Sequence, residues 1–416
     1  MTLENGKPLA PVLLGDAAHY ETGFPHELFT DLRQRMPVCW SREADGPGFW
    51  SLLKYDDLAA AAKNPAVFSS ATENGGHRLF DEQTAGVAGS GAESPIGIPF
   101  ISRDPPKQAQ QRLSVLAAVA PSRLGDMETR IRARVVTLFE QVQGDTVFDV
   151  VPALSAPIPI KTLAELLEAP PEYEPKLFEW TNALIGEDDP EFRRSPEYMA
   201  QIIGELMQFG SHLRASRLGG SGTDIITLIS RDKDGAEVPL RDFYANLILV
   251  LVGGNETTRN SISGGLLALA QHPEQWQRLV DDPALIPGAV SEIVRWVSPV
   301  MHMRRTAMQD IEVRGQHIAK GDKVLLWYPS ANRDEDIWEQ PFTFDIGRGF
   351  KQRHLAFGIG QHTCLGSRVA ELQLRVFLEE LLRRYRHIEL CGPVPRIRSN
   401  FIHGIKSLPM KFKASA

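Results

Sequence analysis

The chain has 416 residues, of which 43% are apolar and 23% charged. This composition is typical of a globular protein and excludes a disordered or fibrous chain. The formal net charge of −7 does not indicate a nucleic-acid-binding protein. The length exceeds the usual size of one core, but no proline-rich, serine-rich or charge-rich linker divides the sequence. We therefore expect one domain over residues 1–416.

Three cysteines, Cys39, Cys364 and Cys391, stand at wide spacings. An odd number at such spacings argues against a disulfide framework and for a reducing compartment, so we expect a cytoplasmic protein. The first residues show no apolar signal core, and the longest apolar stretches, Leu247–Val252 and Val324–Tyr328, are too short to cross a bilayer. The sequence therefore predicts no membrane anchor.

The N-terminal part combines short strands with one short helix. Phe49–Leu53 has the composition of a strand, and Asp56–Lys63 begins with a capping residue and ends before Asn64-Pro65. Residues 84–99 are rich in Gly, Ala, Ser and Pro, which indicates either a surface loop or a lid over a pocket. We expect a β-rich part at about residues 38–100.

The remainder is mainly helical. From Pro105 to Leu285 apolar residues recur at spacings of three and four, in the segments Leu113–Val119, Ile131–Val142 and Leu240–Ala270. Strands return as Ile311–Val313, His317–Ile318 and Val324–Trp327, separated by Gly315 and Gly321-Asp322. The predicted fold class is mainly α with a small β part.

The strongest chemical signal is the segment Phe357–Gly366 (FGIGQHTCLG), which runs directly into the helical pattern Ser367–Tyr385. Its glycines permit a tight loop whose N–H groups point at the Cys364 sulfur, and a helix N-terminus favours a thiolate. Such a sulfur suits a haem iron, because charge donated from a thiolate favours O–O cleavage. Two alternatives are a structural cysteine and a zinc site with His362 or His354, which would need two further ligands.

This segment resembles the haem-binding loop of the cytochrome P-450 family. The resemblance implies an α-rich triangular prism around a buried haem b, with Cys364 as the axial iron ligand and Phe357, Gly358 and Gly366 shaping the loop. It is clear from about residue 240 to residue 412, looser but collinear over residues 49–149, and weakest over residues 150–239.

Two further segments follow the family's order. Glu292 and Arg295 resemble its Glu-x-x-Arg pair, with Arg348 as a third member of a buried structural ion network. Gly253-Gly254 interrupts an apolar run in a predicted long helix just before Glu256-Thr257. A helix weakened there can admit a water or ligand, and the family uses this notch for oxygen binding and proton delivery. Glu256 and Thr257 are the predicted catalytic residues.

The haem propionates require cationic or polar partners, because carboxylates held against a protein are costly unless paired. The resemblance points to Gln108, Arg112, Arg305 and His354. Related bacterial sequences often carry histidine at the place of Gln108, and its amide can still donate to a carboxylate.

The implied reaction inserts one oxygen atom from O2 into a C–H bond, or epoxidises a C=C bond, of a small lipophilic substrate. Segments such as Glu256–Leu269 most resemble bacterial enzymes that hydroxylate alkanes and monoterpenes. By position in the family, the substrate pocket is lined from the segments Phe80–Phe100, Leu249–Gly254, Val300–His302 and Phe401–Ile402. Within them the expected lining residues are Leu249, Gly253, Gly254, Val300, Met301, His302, Phe401 and Ile402. Two alternatives remain, a peroxide-driven peroxygenase of the same fold and a non-catalytic haem-thiolate sensor or carrier.

Electrons must come from another protein, because the sequence has neither a Gly-x-Gly-x-x-Gly fingerprint nor a cysteine set for an iron–sulfur cluster. The resemblance implies a ferredoxin and an NAD(P)H-dependent ferredoxin reductase acting on a monomer. Arg103, Lys107, Lys351 and Arg353 form a predicted basic patch for an acidic donor, with scattered solubilising charge as the alternative.

Overall fold

A computed structural model describes residues 2–82, 95–142, 144–186, 188–192, 195–217, 222–349 and 352–414. The helices are α1 His26–Arg35, α2 Tyr55–Lys63, α3 Lys107–Leu116, α4 Pro121–Gln141, α5 Pro157–Leu166, α6 Glu174–Ile185, α7 Pro196–Ala215, α8 Ile225–Ile229, α9 Leu240–Gln271, α10 Pro273–Asp281, α11 Ile286–Val297, α12 Tyr328–Ala331 and α13 Ser367–Arg384. The strands are β1 Leu3–Glu4, β2 Lys7–Pro8, β3 Val38–Ser41, β4 Phe49–Leu52, β5 Phe68–Ser69, β6 Val147–Asp149, β7 His302–Ala307, β8 Ile311–Val313, β9 Gln316–Ile318, β10 Lys323–Trp327, β11 His387–Leu390 and β12 Pro409–Lys413.

A five-stranded sheet of order β3-β4-β10-β7-β5 forms the β-rich side of the protein. Strands β10 and β4 are parallel, with Val324 opposite Trp50, whereas β10 and β7 are antiparallel, with Val324 opposite Arg305. Because side chains alternate along a strand, the sheet separates two apolar clusters. Trp50 and Val324 pack on one side, and Trp327 packs on the other.

The same alternation divides the side chains of β7 between the two faces. Met303 and Ala307 pack with the cluster around Trp50, while His302 contacts Trp327 with ring centroids 4.9 Å apart. Neighbouring side chains on this strand therefore lie on opposite faces of the sheet, and Arg304 and Arg305 point to opposite sides.

The helix α9 runs through the α-rich side and packs against α5, α6, α11 and α13. The residues between Ile262 and Leu269 are almost all buried in the large apolar cluster that also holds α4, α11 and α13. The helix is continuous through Gly253-Gly254, where the sequence predicts a weakened hydrogen-bond ladder. No described helix is both long and apolar enough to cross a membrane.

Most predicted strands form within one residue of their expected bounds, and the fold class is confirmed as mainly α. Strand β7 was not predicted, and neither was the sheet of order β11-β12-β6. Of the predicted loop or lid at residues 84–99, the part from 84 to 94 lies outside the described residues.

Candidate active site

The loop before α13 is shaped by glycines in a backbone conformation that other residues rarely adopt. Gly358 and Gly360 have φ values of +66° and +76°. A side chain at Gly360 would place its Cβ 2.7 Å from the Ala62 carbonyl oxygen, so the loop lies directly against α2. The Cys364 N–H donates to the Phe357 carbonyl at 2.7 Å, which closes the loop. These contacts fix Cys364 just before the first turn of α13.

Cys364 is exposed to a cavity of about 720 Å³, which it helps to line. Burial raises the pKa of its thiol above the ordinary value, against the lowering effects of the Gly366 N–H and the Arg112 guanidinium. A coordinated metal ion removes this proton outright.

Gln108 and Arg112 lie one turn apart on α3 and face the cysteine loop. The Gln108 amide donates to the Gln361 carbonyl at 3.0 Å, and Arg112 Nη2 donates to the Thr363 carbonyl. Both side chains thus hold backbone carbonyls next to Cys364, a contact that the sequence did not predict.

Arg305 is buried, and its described hydrogen bond goes to the Arg304 carbonyl at 2.7 Å. Burial lowers its pKa, partly offset by Tyr328 and Asp104. Among the described residues no carboxylate lies within ion-pair distance of this guanidinium. A buried cation without a carboxylate partner is costly, and a ligand that brings carboxylates would relieve that cost.

Two histidines flank the same loop. His354 packs on the Phe357 ring with centroids 5.6 Å apart, and burial, followed by Arg353 and Arg295, lowers its pKa to about 3. His362, which the sequence did not single out as a haem contact, shares a hydrogen bond of 3.0 Å with Ser70.

Burial lowers the pKa of His362 to about 2, and the charges of Arg305, His77 and Arg112 act in the same direction. Arg112 and Arg305 therefore lie close enough to this one ring to act on it together. The structure gathers two cations of the predicted set at the same end of the loop.

The middle of α9 faces an interior space. Gly253 is exposed although the helix is packed by neighbours on several sides, and a Cβ at this position would meet no atom within 4 Å. Thr257 Oγ1 donates to the Gly253 carbonyl at 3.0 Å. The sequence predicted that the helix would be weakened here and leave a carbonyl free. Instead the helix is unbroken, and the Gly253 carbonyl accepts a hydrogen bond from the Thr257 hydroxyl.

Glu256 points away from this hydroxyl and is almost fully buried. Its Oε2 lies 2.9 Å from Arg259 Nη1, and its Oε1 accepts from Asn260 Nδ2 at 2.8 Å. Arg259 also donates to Asn182 Oδ1 at 2.9 Å, which ties the acid to the end of α6.

The predicted ion network is assembled below the loop. Arg295 donates to Glu292 through Nε and Nη2, both at 2.7 Å, and neither side chain is exposed. Arg348 Nε lies 3.2 Å from the same carboxylate and also donates to the carbonyls of Glu339 and Thr343. The structure brings these three predicted residues together.

The predicted pocket residues divide into two groups. Val300, Phe401 and Ile402 join one small apolar cluster with Ile185, Val252 and Met303. Val252 lies within the predicted segment Leu249–Gly254, whereas Ile185 and Met303 were not predicted for the pocket. The alternation along β7 would have indicated Met303, had the strand been predicted.

Three other predicted pocket residues lie elsewhere, and His302 borders the cluster. Met301 packs in the cluster around Trp327, whereas the His302 ring contacts both Trp327 and Phe401, with centroids 4.9 and 5.7 Å apart. Leu249 packs with the α6–α7 cluster, and Gly254 faces Leu163 of α5. The structure therefore places Met301, Leu249 and Gly254 outside the apolar cluster. His302 contacts the cluster through Phe401, and Gly253 faces the interior space.

The surface outside the cysteine loop combines cations with apolar side chains. Arg112, Arg353 and Arg368 line the cavity that borders Cys364. On α3, Leu113 and Leu116 are 59% and 40% exposed.

The predicted basic patch is only partly found. Lys107 and Arg353 are exposed, whereas Arg103 pairs with Asp242 at 2.7 Å. Lys351 lies outside the described residues.

The residues present fit a haem. They supply a sulfur at a glycine loop, two buried or half-buried arginines for carboxylates, and a helix whose glycine leaves open space opposite. Within the described residues no group of three or more His, Cys, Asp or Glu side chains is placed to hold a separate metal ion.

Comparison with known proteins agrees with this assignment. A family model for cytochrome P-450 matches residues 284–413. The linalool 8-monooxygenase of Pseudomonas putida is 51% identical over 390 residues, which are 94% of this chain and 96% of that protein. The methyl-branched lipid omega-hydroxylase of Mycobacterium tuberculosis is 36% identical over 397 residues, 92% of this chain and 90% of that protein.

Solved structures show the same fold. A cytochrome P-450-153 from Novosphingobium aromaticivorans superposes with a TM-score of 0.86 at 31% identity, covering 96% of this chain and 99% of its own. A Mycobacterium marinum cytochrome P-450 in complex with pseudoionone gives a TM-score of 0.83 at 31% identity, with 93% and 94% covered.

Proposed function

This chain belongs to the cytochrome P-450 family and is a monooxygenase, and on that premise we propose that it hydroxylates linalool or a closely similar small lipophilic alcohol. The observation that carries the proposal is the 51% identity to a linalool 8-monooxygenase, which extends over nearly all of both chains. Epoxidation of a C=C bond in the same substrates is the second outcome that this chemistry allows.

In the proposed site, Cys364 holds the haem iron, and Arg112 and Arg305 receive the propionates. Haem supplies the activation of O2 that allows one oxygen atom to enter a C–H bond. Arg305 is buried, and in the described part of the chain its guanidinium has no carboxylate within ion-pair distance. A propionate would supply the missing negative charge. Gln108 and Arg112 also keep the loop around Cys364 in place by holding two of its carbonyls.

Thr257 and Glu256 are the proposed proton-delivery residues. The Thr257 hydroxyl lies on the side of α9 that faces the interior space, where it could turn from the Gly253 carbonyl to donate to a water molecule in that space. The Glu256 carboxylate must leave Arg259 before it can exchange a proton with that side.

The cluster of Ile185, Val252, Val300, Met303, Phe401 and Ile402 is the proposed substrate wall. Its aliphatic and aromatic surface suits a lipophilic molecule, because burying apolar area is the main source of affinity for such ligands.

A ferredoxin and its NAD(P)H-dependent reductase are the proposed electron source. The exposed Leu113 and Leu116, beside the cations Arg112, Arg353 and Arg368, offer an apolar centre with a positive rim for an acidic donor. We also propose a cytoplasmic location, in keeping with the free thiols of Cys39, Cys364 and Cys391.

The test is product analysis with linalool, O2, NADH, a ferredoxin and its reductase. Wild-type protein should give hydroxylated linalool and a reduced CO complex that absorbs at the position typical of a thiolate ligand. Cys364→Ala should lose both, whereas Cys391→Ala should keep both, because Cys391 lies on a partly exposed strand end. Product from hydrogen peroxide alone would favour the peroxygenase alternative. The thiolate spectrum without product from either system would favour a sensor or carrier.

A further inference from the structure

The segment from residue 74 to residue 82 is folded around one buried guanidinium. Arg304 donates through Nη1 to the Phe80 and Leu79 carbonyls at 3.2 and 3.5 Å, and through Nη2 to the Asn74 carbonyl at 3.4 Å. Thr306, two residues along β7, donates to the same Asn74 carbonyl at 2.6 Å. Two side chains from one face of β7 therefore hold both ends of this segment.

Two adjacent glycines allow this segment to fold closely around the Arg304 guanidinium and the Glu82 carboxylate. Gly75 has φ +103°, and a Cβ there would lie 1.8 Å from Arg304 Nη2. Gly76 has φ +87°, and its Cβ would lie 2.1 Å from the Glu82 carboxyl carbon. Two adjacent glycines thus leave room for one cation and one anion, which a larger residue at either place would displace.

The anion completes the arrangement. Glu82 Oε1 accepts from the N–H groups of His77 and Arg78 at 2.9 and 3.1 Å, and it lies 2.7 Å from His77 Nδ1. The His77 carbonyl in turn accepts from the Arg304 N–H at 2.8 Å. Carbonyls of the segment face the cation and N–H groups face the anion, so both charges stabilise the same backbone shape.

This segment reaches the proposed substrate wall. The Arg78 guanidinium lies 3.9 Å above the ring of Phe401, which belongs to the apolar cluster with Ile185, Val252 and Met303. The Arg78 guanidinium also lies 5.1 Å from the centre of the Phe80 ring. Any shift of the segment would therefore move the side chain that covers Phe401.

We infer that Arg304 is a positioning residue for substrate selection, because it fixes the segment 74–82 against the pocket wall at Phe401. The inference rests on the proposed function and deepens it. Arg305, the next residue, faces the haem side of the sheet, so one strand sets both the proposed propionate contact and the pocket wall. A lysine at position 304 cannot replace the planar guanidinium with its two terminal nitrogens, because one ammonium group cannot reach carbonyls on three residues.

The test compares imidazole with 4-phenylimidazole, two probes that bind haem iron through nitrogen but differ in how far they extend into the pocket. Arg304→Gln should weaken 4-phenylimidazole about fivefold or more and imidazole less than about twofold. Arg304→Lys should fall between wild type and Arg304→Gln. Gly75→Ala should reproduce Arg304→Gln, because the added Cβ occupies the place of the guanidinium. Arg314→Gln is the matched control, since Arg314 stands on the turn between β8 and β9 and pairs with Asp57 of α2.

With linalool the same variants should show a raised KM and a kcat within about twofold of wild type, because the wall selects substrate without touching the reacting atoms. The azole ratio requires only bound haem, so it tests Arg304 even if linalool is not a substrate. If Arg304→Gln fails to take up haem, Arg304→Lys and Gly75→Ala decide. An azole ratio equal to that of wild type in the haem-loaded variants would overturn the inference.

Discussion

Both carboxylate oxygens of Glu256 are engaged one turn further along α9, with Arg259 Nη1 at 2.9 Å and Asn260 Nδ2 at 2.8 Å. The neighbouring Thr257 hydroxyl donates in the opposite direction along the helix, to Gly253. The acid and the hydroxyl of this pair therefore serve different sides of α9 in the resting arrangement. Proton delivery through both residues requires the carboxylate to leave its ion pair.

Thr257→Ala should retain haem and bind substrate but release more hydrogen peroxide per NADH consumed. Loss of the hydroxyl removes a proton donor without changing the pocket wall. Thr257→Ser keeps the hydroxyl and is the matched control, so its coupling should stay near that of wild type. Peroxide and hydroxylated product are measured together against NADH. Full coupling in Thr257→Ala would show that this hydroxyl has no special part in oxygen activation.

The cysteine loop could be predicted from sequence because its information is local. Glycines at Gly358 and Gly360, one cysteine and a helical pattern directly after it specify a turn at a helix start without any distant partner. The predicted ion network was also brought together, since Glu292 and Arg295 share a helix face whatever the rest of the fold.

The pocket could be predicted only in part, because its residues depend on strand register. Without β7 the sequence did not show that Met303 and His302 face opposite sides of the sheet. Because β7 was not predicted, the role of Arg304 was not predicted either. Its partners Leu79 and Phe80 lie more than 220 residues earlier in the chain. Contacts of this kind depend on tertiary packing, which local patterns do not encode.

Arg348→Ala should lose much folded, haem-loaded protein. It leaves a buried carboxylate at Glu292 with one of its two arginines and removes the donors of three carbonyls. Breaking a buried ion pair costs about 3–5 kcal/mol. Arg278→Ala is the matched control, because the Arg278–Asp345 pair is partly exposed and should contribute less than about 1 kcal/mol. Urea midpoints and haem-to-protein ratios measure both. Equal midpoints for the two variants would contradict the assignment.

His403 should make the protein less stable in acid. Burial, followed by Arg396, lowers its pKa from 6.5 to about 3, and the neutral ring is held between the Val297 carbonyl and Arg396. Between these values the unfolded chain binds the extra proton, so stability is full above pH 6.5 and falls as the pH drops below it. From pH 6.5 to pH 5 the loss from this group is about 2 kcal/mol.

His403→Gln should remove that part of the acid sensitivity. The difference in unfolding free energy between wild type and variant, measured in urea at pH 7.5 and pH 5, should narrow by about 2 kcal/mol at the lower pH. His317→Gln on the exposed strand β9 is the control and should change neither value. If the difference in unfolding free energy between wild type and variant did not change with pH, protonation of His403 would not destabilise the folded protein.

Arg353→Glu should slow reduction by a ferredoxin about tenfold at low salt, because charge steering acts mainly on the encounter rate. Arg353 is exposed and lines the cavity that borders Cys364, so reversal places a negative charge where an acidic donor would approach. The effect should shrink as salt rises, since charges more than about 10 Å apart are largely screened at 0.1 M.

Leu113→Ser, on the same surface, should instead weaken docking to a similar extent at all salt concentrations, because it removes apolar contact. Lys320→Glu, an exposed reversal on the β9–β10 turn, should have no effect. Stopped-flow reduction over a salt series separates these cases, with haem content and substrate binding checked for each variant. Reduction rates of Arg353→Glu equal to wild type at low salt would rule out this surface as the docking site.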